Sequence, residues 1–329
     1  MLPRPAGAAY GGAHRAPAGP AAGEIAARNT AGRQSGAVMF TYTSQDGVVL
    51  HVHTWLPPGA PRGIVQIAHG MGEHAGRYAP LAGHLVERGY AVYAADHRGH
   101  GRSAHAALGH LGEDGWNLLV ADMAALTRIA RERHPGAPVV LLGHSMGSFA
   151  AQQYLLDHPG LVDGVALSGT TAVDRLLAGL AEAARQAAEA GGRARGGAFD
   201  AFNAGFTPRR TEADWLSRDE RQVDAYLADP LCGFTVDDRG MAAMAAAAPR
   251  LAAPAGIPAG LPLHVLAGDR DPLNAGLTLT DLLVSRYREA GLTDVTYRGY
   301  PGARHEVLNE TNRDEVVADL TAWIERVTG

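Results

Sequence analysis

Short apolar runs alternate with longer amphipathic stretches from Met39 to the end of the chain. Gly63–Ala68, Tyr90–Ala95, Val139–Leu142, Val162–Leu167 and Pro262–Ala267 are apolar almost throughout, the pattern of strands covered on both faces. Met39–Thr43 and Val48–Leu56 flank Gln45-Asp46-Gly47, and the Asp-Gly step predicts a hairpin turn between them. Val295–Tyr300 adds an eighth strand. Helical spacing covers Pro80–Arg88, Trp116–Arg133, a stretch reaching about His158, Leu277–Ala290 and Arg313–Val327; Gly89 ends the first of these. Strand–helix alternation of this kind predicts an α/β fold with a mostly parallel eight-stranded sheet and helices on both faces.

Two regions break the rhythm. Residues 1–37 are rich in Ala, Gly, Pro and Arg without periodicity, and they read as a disordered leader with no continuous apolar segment of a secretory signal. Residues 171–254 are Ala-rich and mostly helical, with a Gly/Arg interruption at Gly191–Gly197, and they sit where a short crossover would suffice. They read as a helical cap inserted into a core formed by residues 38–170 and 255–329. Val173, Leu176, Leu177 and Leu180 form a stripe at helical spacing, which predicts packing onto the body or the next cap helix. Trp215, Tyr226 and Phe234 are candidates for lining an acyl channel, with packing inside the cap as the alternative.

Composition narrows the function. Apolar residues make up 46% of the 329, enough for a sizeable core, and the net charge of −5 comes with no basic run for tracking phosphates. Nucleic acid is therefore not an expected partner. Cys232 is the single cysteine, so no internal disulfide forms. No apolar stretch is long enough to span a bilayer, and contact with a membrane surface is expected at most transiently, through the cap. A cytoplasmic location is the expectation.

Gly143-His144-Ser145-Met146-Gly147 lies between a predicted strand and a predicted helix. G-x-S-x-G in that context is a nucleophile elbow, a sharp strained turn that needs very small residues two positions before and after the serine. The alternative is a glycine-rich turn whose serine caps the helix. Asp271 follows the strand Leu263–Leu266, and His305 follows Val295–Tyr300, so the order Ser, Asp, His places all three at the carboxyl edge of the sheet. A serine hydroxyl needs a base. An imidazole of pKa ~6.5 can take its proton and return one to the leaving group, with a carboxylate on its far nitrogen. Asp269 rivals Asp271 for that last role; the longer loop lets Asp271 turn inward. The oxyanion needs donors, and the N–H of Met146 supplies one. The loop His69-Gly70-Met71-Gly72-Glu73-His74 supplies the other, the Met71 N–H being the choice.

Three motifs occur together and in order: His69–His74, Asp96-His97-Arg98-Gly99-His100-Gly101-Arg102-Ser103, and Gly143–Gly147. The chain resembles the monoacylglycerol lipase and lysophospholipase branch of the α/β-hydrolases, also called serine aminopeptidase-like, over about Thr41 to Val327. The resemblance implies Ser145 as nucleophile, Asp271 and His305 as its partners, and Met71 and Met146 as oxyanion donors. Gly70, His144 and Gly147 are the candidate substrate-binding positions. No cofactor and no metal is implied. The implied activity is hydrolysis of a small acyl ester, with acyl transfer, aminopeptidase action or a non-catalytic binding role as alternatives. Glu212, Asp214, Asp219, Glu220 and Asp224 are the acids that could hold a peptide amine; a solvated helical face is the plainer reading.

The histidine-rich loop His97, His100, His105 and His110 lacks a cysteine or carboxylate at zinc spacing, so hydrogen bonding is its expected role, with Asp96 and Arg98 bracing the loop. Glu73 and His74 either line the pocket or anchor the oxyanion loop. His51 and His53 share a strand face and carry no assigned function. Cys232 reads as a packed cap residue.

Overall fold

The computed structural model describes residues 38–189 and 198–329. The leader and the Gly191–Gly197 interruption lie outside them. Eight strands form one sheet in the order β1-β2-β4-β3-β5-β6-β7-β8. They are β1 (Val38–Thr43), β2 (Val49–Trp55), β3 (Gly63–Ala68), β4 (Tyr90–Ala95), β5 (Val139–His144), β6 (Gly164–Ser168), β7 (Leu263–Gly268) and β8 (Val295–Tyr300). β2 runs antiparallel to β1 and to β4, and every other neighbouring pair is parallel.

The apolar runs have a direct cause. Every residue of β3, β4, β5, β6 and β7 is buried, because helices cover both faces. α1 (Ala79–Val86) and α9 (Arg313–Thr328) close one face through Leu81, Leu85, Leu320 and Trp323. α2 (Gly115–Arg133), α3 (Met146–Asp157) and α8 (Thr278–Glu289) close the other through Trp116, Leu119, Phe149 and Leu283. At the β1–β2 turn Gly47 takes a positive φ of 89°, the left-handed conformation that an Asp-Gly turn requires.

Between β6 and β7 the chain forms α4 (Val173–Glu189), α5 (Ala198–Asn203), α6 (Glu220–Ala228) and α7 (Asp238–Leu251). The buried apolar residues of this segment, Leu176, Val223 and Met244 on the helices and Trp215 on the turn before α6, continue the core on the α2–α3 side. The carboxyl ends of β3 to β8 all open onto one edge, and Met71, Ser145, Asp271 and His305 lie in the segments leaving that edge.

Candidate active site

The site is built on a strained turn. Ser145 has φ 51° and ψ −122°, a conformation that costs a non-glycine residue about 1–3 kcal/mol. Its N–H donates to Ser168 O at 2.9 Å, which pins the turn to β6. The positions two before and two after Ser145 must be glycine. A Cβ on Gly143 would lie 2.6 Å from Gly147 O, and one on Gly147 would lie 2.2 Å from Ala68 O. The Ser145 side chain makes no capping hydrogen bond to α3, so its hydroxyl is not spent on the helix. α3 begins at the next residue and directs its unpaired N–H groups and positive dipole end toward the turn. The N–H groups of Met71 and Met146 take no part in the turn, loop and cap hydrogen bonds of the described residues.

His305 and Asp271 come together from two loops. Asp271 Oδ2 lies 2.8 Å from His305 Nδ1, and Asp271 Oδ1 accepts the Leu273 N–H at 2.9 Å. Both residues are buried. Asp269, the rival, accepts the Gly302 N–H at 2.7 Å and braces the turn that carries His305. Nε2 of His305 is buried without a hydrogen-bond partner, so the hydroxyl–imidazole bond is not made here; such bonds often tighten only with substrate bound. The His305 ring centroid is 5.0 Å from that of His144, the residue before Ser145, and 4.9 Å from that of Trp215. Burial alone would lower the pKa of His305, but the Asp271 charge and hydrogen bond outweigh it, aided by Glu306 and Glu73, and the net shift is upward. Burial and the neighbouring His305 push His144 down to about 4, which leaves it neutral.

A cavity of about 240 Å³ opens at Ser145, Met71 and Met146. Its walls include Phe149, Leu176, Leu177, Leu180, Phe199 and Trp215. Leu176, Leu177 and Leu180 of the α4 stripe therefore face a cavity rather than only another helix, a distinction that periodicity does not make. Trp215 lines this cavity, whereas Tyr226 packs under the Arg77 guanidinium, 5.0 Å from its ring centroid, and Phe234 packs on His100 at 5.0 Å. A second, more polar cavity of about 440 Å³ reaches His144 past Arg77, Glu306 and Gln222. Of the candidate substrate-binding positions, His144 lines this second space. Gly70 and Gly147 are close-approach positions: a Cβ on Gly70 would meet Glu73 Oε1 at 2.9 Å and Ser145 Cβ at 3.1 Å.

The loop that carries Met71 is held from behind. Gly70 N–H donates to Glu73 Oε1 at 2.5 Å, Tyr78 O–H donates to the same oxygen at 2.9 Å, and Arg77 Nη1 lies 2.6 Å from Glu73 Oε2. His69 Nε2 accepts the His97 N–H at 2.9 Å. Asp96 accepts the N–H groups of Ala75 and Arg102, each at 2.9 Å. Arg98, fully buried, pairs with Asp122 and Asp46 at 2.9 Å each. Asp96 and Arg98 thus brace the loop; of its histidine side chains, His100 Nδ1 lies 3.0 Å from Arg98 O and His110 Nδ1 lies 2.7 Å from Asp237 Oδ2, while Nε2 of His97 and of His100 are buried without a partner. Arg77 and Glu306 are the residues that sequence reasoning missed; their ion pair spans 229 positions, and no spacing rule announces it.

Among the described residues, His74, Asp229 and Cys232 are the one group of three close enough to hold a metal ion. His74 Nε2 and Asp229 Oδ2 already satisfy each other at 2.9 Å, and burial pushes the Cys232 thiol up to about 12, so the group reads as a contact between the segment after α6 and the loop after β3.

The parallel sheet, the strained serine turn after β5 and the buried acid–imidazole pair at the same edge define an α/β-hydrolase. The chain belongs to the serine aminopeptidase S33 family, whose model matches residues 59–312. It is 33% identical over 296 residues to a monoacylglycerol lipase of Mycolicibacterium smegmatis, an alignment covering 86% of this chain and 95% of that protein. It is 27% identical over 296 residues to the monoglyceride lipase of Mus musculus, covering 85% of this chain and 88% of that one. Among solved structures it is similar to a thermostable carboxyl esterase from Bacillus coagulans in complex with glycerol, with a TM-score of 0.75 and 27% identity over 88% of this chain and 98% of that chain. No helix of the described residues is long and apolar enough to cross a membrane.

Proposed function

We propose that the protein is a cofactor-free serine hydrolase that cleaves carboxylic esters of the monoacylglycerol type. Ser145 Oγ attacks the ester carbonyl as His305 Nε2 takes its proton, and Asp271 holds the imidazolium that forms. The N–H groups of Met71 and Met146 receive the oxyanion. Collapse of the tetrahedral species breaks the C–O bond, and the alcohol leaves with the proton from His305. Water then attacks the acyl-enzyme by the same route in reverse and releases the acid. The observation that carries this reading is the Asp271–His305 pair at 2.8 Å beside a strained serine that opens onto an apolar cavity. The helices between β6 and β7 act as a cap whose inner wall receives the acyl chain. At ~30 Å³ per water-sized group, the 240 Å³ space suits a medium-length chain. Action in the cytoplasm is part of the proposal.

The cap acids favour an ester over a peptide. Asp214 accepts the N–H groups of Arg210 and Thr211, Asp219 caps α6, and Asp224 pairs with Arg210. With Glu212 and Glu220, none of the five lines the cavity at Ser145, where Asp238 is the one acid among the lining residues.

Initial rates on p-nitrophenyl esters of increasing chain length, monoacylglycerols and aminoacyl amides test the reading. Ester turnover with a medium-chain maximum is expected. Preferential amide cleavage, or product partitioning to an added alcohol ahead of water, would replace it with the peptidase or transferase alternative.

A further inference from the structure

Three charged side chains lie buried between the oxyanion loop and the loop of the base. Arg77 is 12% exposed, Glu73 3% and Glu306 5%. Arg77 donates from Nη1 to Glu73 Oε2 at 2.6 Å and to Glu306 Oε1 at 2.7 Å, and from Nη2 to Glu306 Oε2 at 2.8 Å. Each carboxylate is tied to one half of the chemistry. Glu73 holds the Gly70 N–H at 2.5 Å, one residue before the Met71 donor. Glu306 is bonded to His305 in the chain; its N–H donates to Leu216 O at 2.8 Å, and Asn309 fixes its Oε2 at 2.9 Å.

We propose that Arg77, clamped between Glu73 and Glu306, is a positioning residue that sets the separation of the oxyanion loop from the base His305. The inference rests on the serine-hydrolase reading above. A buried ion pair is a weak source of stability, because apolar side chains of similar size often do as well or better. A bidentate guanidinium–carboxylate fork supplies something that apolar packing does not, a fixed distance and angle between two loops. Acyl transfer needs such a distance, since a carbonyl must meet both the oxyanion donors and the group that carries the proton.

The trio also carries one more negative charge than positive. His305 is faced by Asp271 from the β7 loop, by neutral His144 and apolar Trp215, and by Glu306 and Glu73 with Arg77 between them. The two acids favour the imidazolium that forms when the serine is deprotonated. Arg77 in turn holds Glu73 at about 2 against the upward pull of burial, so the carboxylate stays charged across the working range.

The test compares wild type, Glu306→Gln and Arg77→Lys on one p-nitrophenyl ester across pH, with a thermal melt of each. Glu306→Gln is expected to lower kcat about tenfold or more with KM within about twofold. It should also move the acidic limb of kcat/KM to lower pH, because a charge favouring protonated His305 is gone. Arg77→Lys keeps the charge and loses the fork, so kcat should fall while the limb stays in place. Wild-type kcat in both variants, or a loss in both that matches the melted fraction alone, overturns the proposal. If Glu306→Gln melts below the assay temperature, Arg77→Lys decides, and unchanged kcat in it is the overturning result. Ser145→Ala, run alongside, tests the hydrolase reading separately: if it abolishes turnover while both network variants match wild type, only the positioning role falls.

Discussion

Gly147→Ala tests whether the elbow works as a geometric device. The added Cβ would lie 2.2 Å from Ala68 O, 2.5 Å from His69 O and 2.6 Å from Ala68 C. Ordinary contact begins at 3.4 Å, so the first clash falls short by 1.2 Å. None of the three atoms can swing aside, because all belong to the main chain of β3 and the loop after it. Either α3 or the end of β3 must move by that amount. Overpacking of this kind costs about 1–3 kcal/mol, and a domain of this size loses roughly 2–4 °C in Tm per kcal/mol. The catalytic cost is larger. Ser145 and the Met146 N–H ride on the displaced turn, while Met71 follows the strand that pushes it. A misplacement of ~1 Å between reacting groups costs ~10²-fold in rate. Hydrolysis of a soluble p-nitrophenyl ester should therefore drop by about two orders of magnitude while Tm falls only a few degrees. Gly83→Ala is the control: it sits inside α1 with nothing within 4 Å of the added Cβ, so it should stabilise by up to ~1 kcal/mol and leave kcat alone. Wild-type kcat/KM in Gly147→Ala would refute the steric account of the turn.

Other outcomes follow from the same geometry. Asp271→Asn should cut kcat by ~10⁴-fold through the wrong imidazole tautomer, while Asp269→Asn, whose side chain accepts the Gly302 N–H rather than pairing with His305, should change steady-state rates far less. The pKa of His305 is raised and the base must be neutral to accept a proton, so the acidic limb of kcat/KM should lie above the ordinary imidazole value of ~6.5; a limb well below it would contradict the Asp271 pairing. Leu180→Trp, in the cavity wall, should shift the chain-length optimum toward shorter esters and leave the acetate rate nearly unchanged, as read from a p-nitrophenyl ester series.

Much of this architecture is legible in the residues because burial on two faces leaves a plain mark. β3 to β7 stand out as apolar runs, and Gly143 and Gly147 flank the serine for a reason that sterics alone supplies. The order of Ser145, Asp271 and His305 pointed to one sheet edge, where the structure brings the acid and the imidazole into hydrogen-bond contact. What stayed hidden depends on distance in space. Leu176, Leu177 and Leu180 have the same period whether they meet a helix or an empty cavity. Tyr226 and Phe234 look like channel residues by type, yet they spend their rings on Arg77 and His100. The Arg77 clamp joins residues 229 positions apart, and a charged residue beside a motif looks the same whether it faces solvent or a buried partner.

The central claim is that Ser145 is the nucleophile, activated by His305. Fluorophosphonate labelling followed by peptide mass analysis, in wild type and Ser145→Ala, tests it most directly. One phosphonyl adduct on the peptide carrying Ser145, absent from the variant together with all p-nitrophenyl ester turnover, is the predicted result. An adduct on another residue, or a Ser145→Ala protein that still hydrolyses the ester at the wild-type rate, would contradict it.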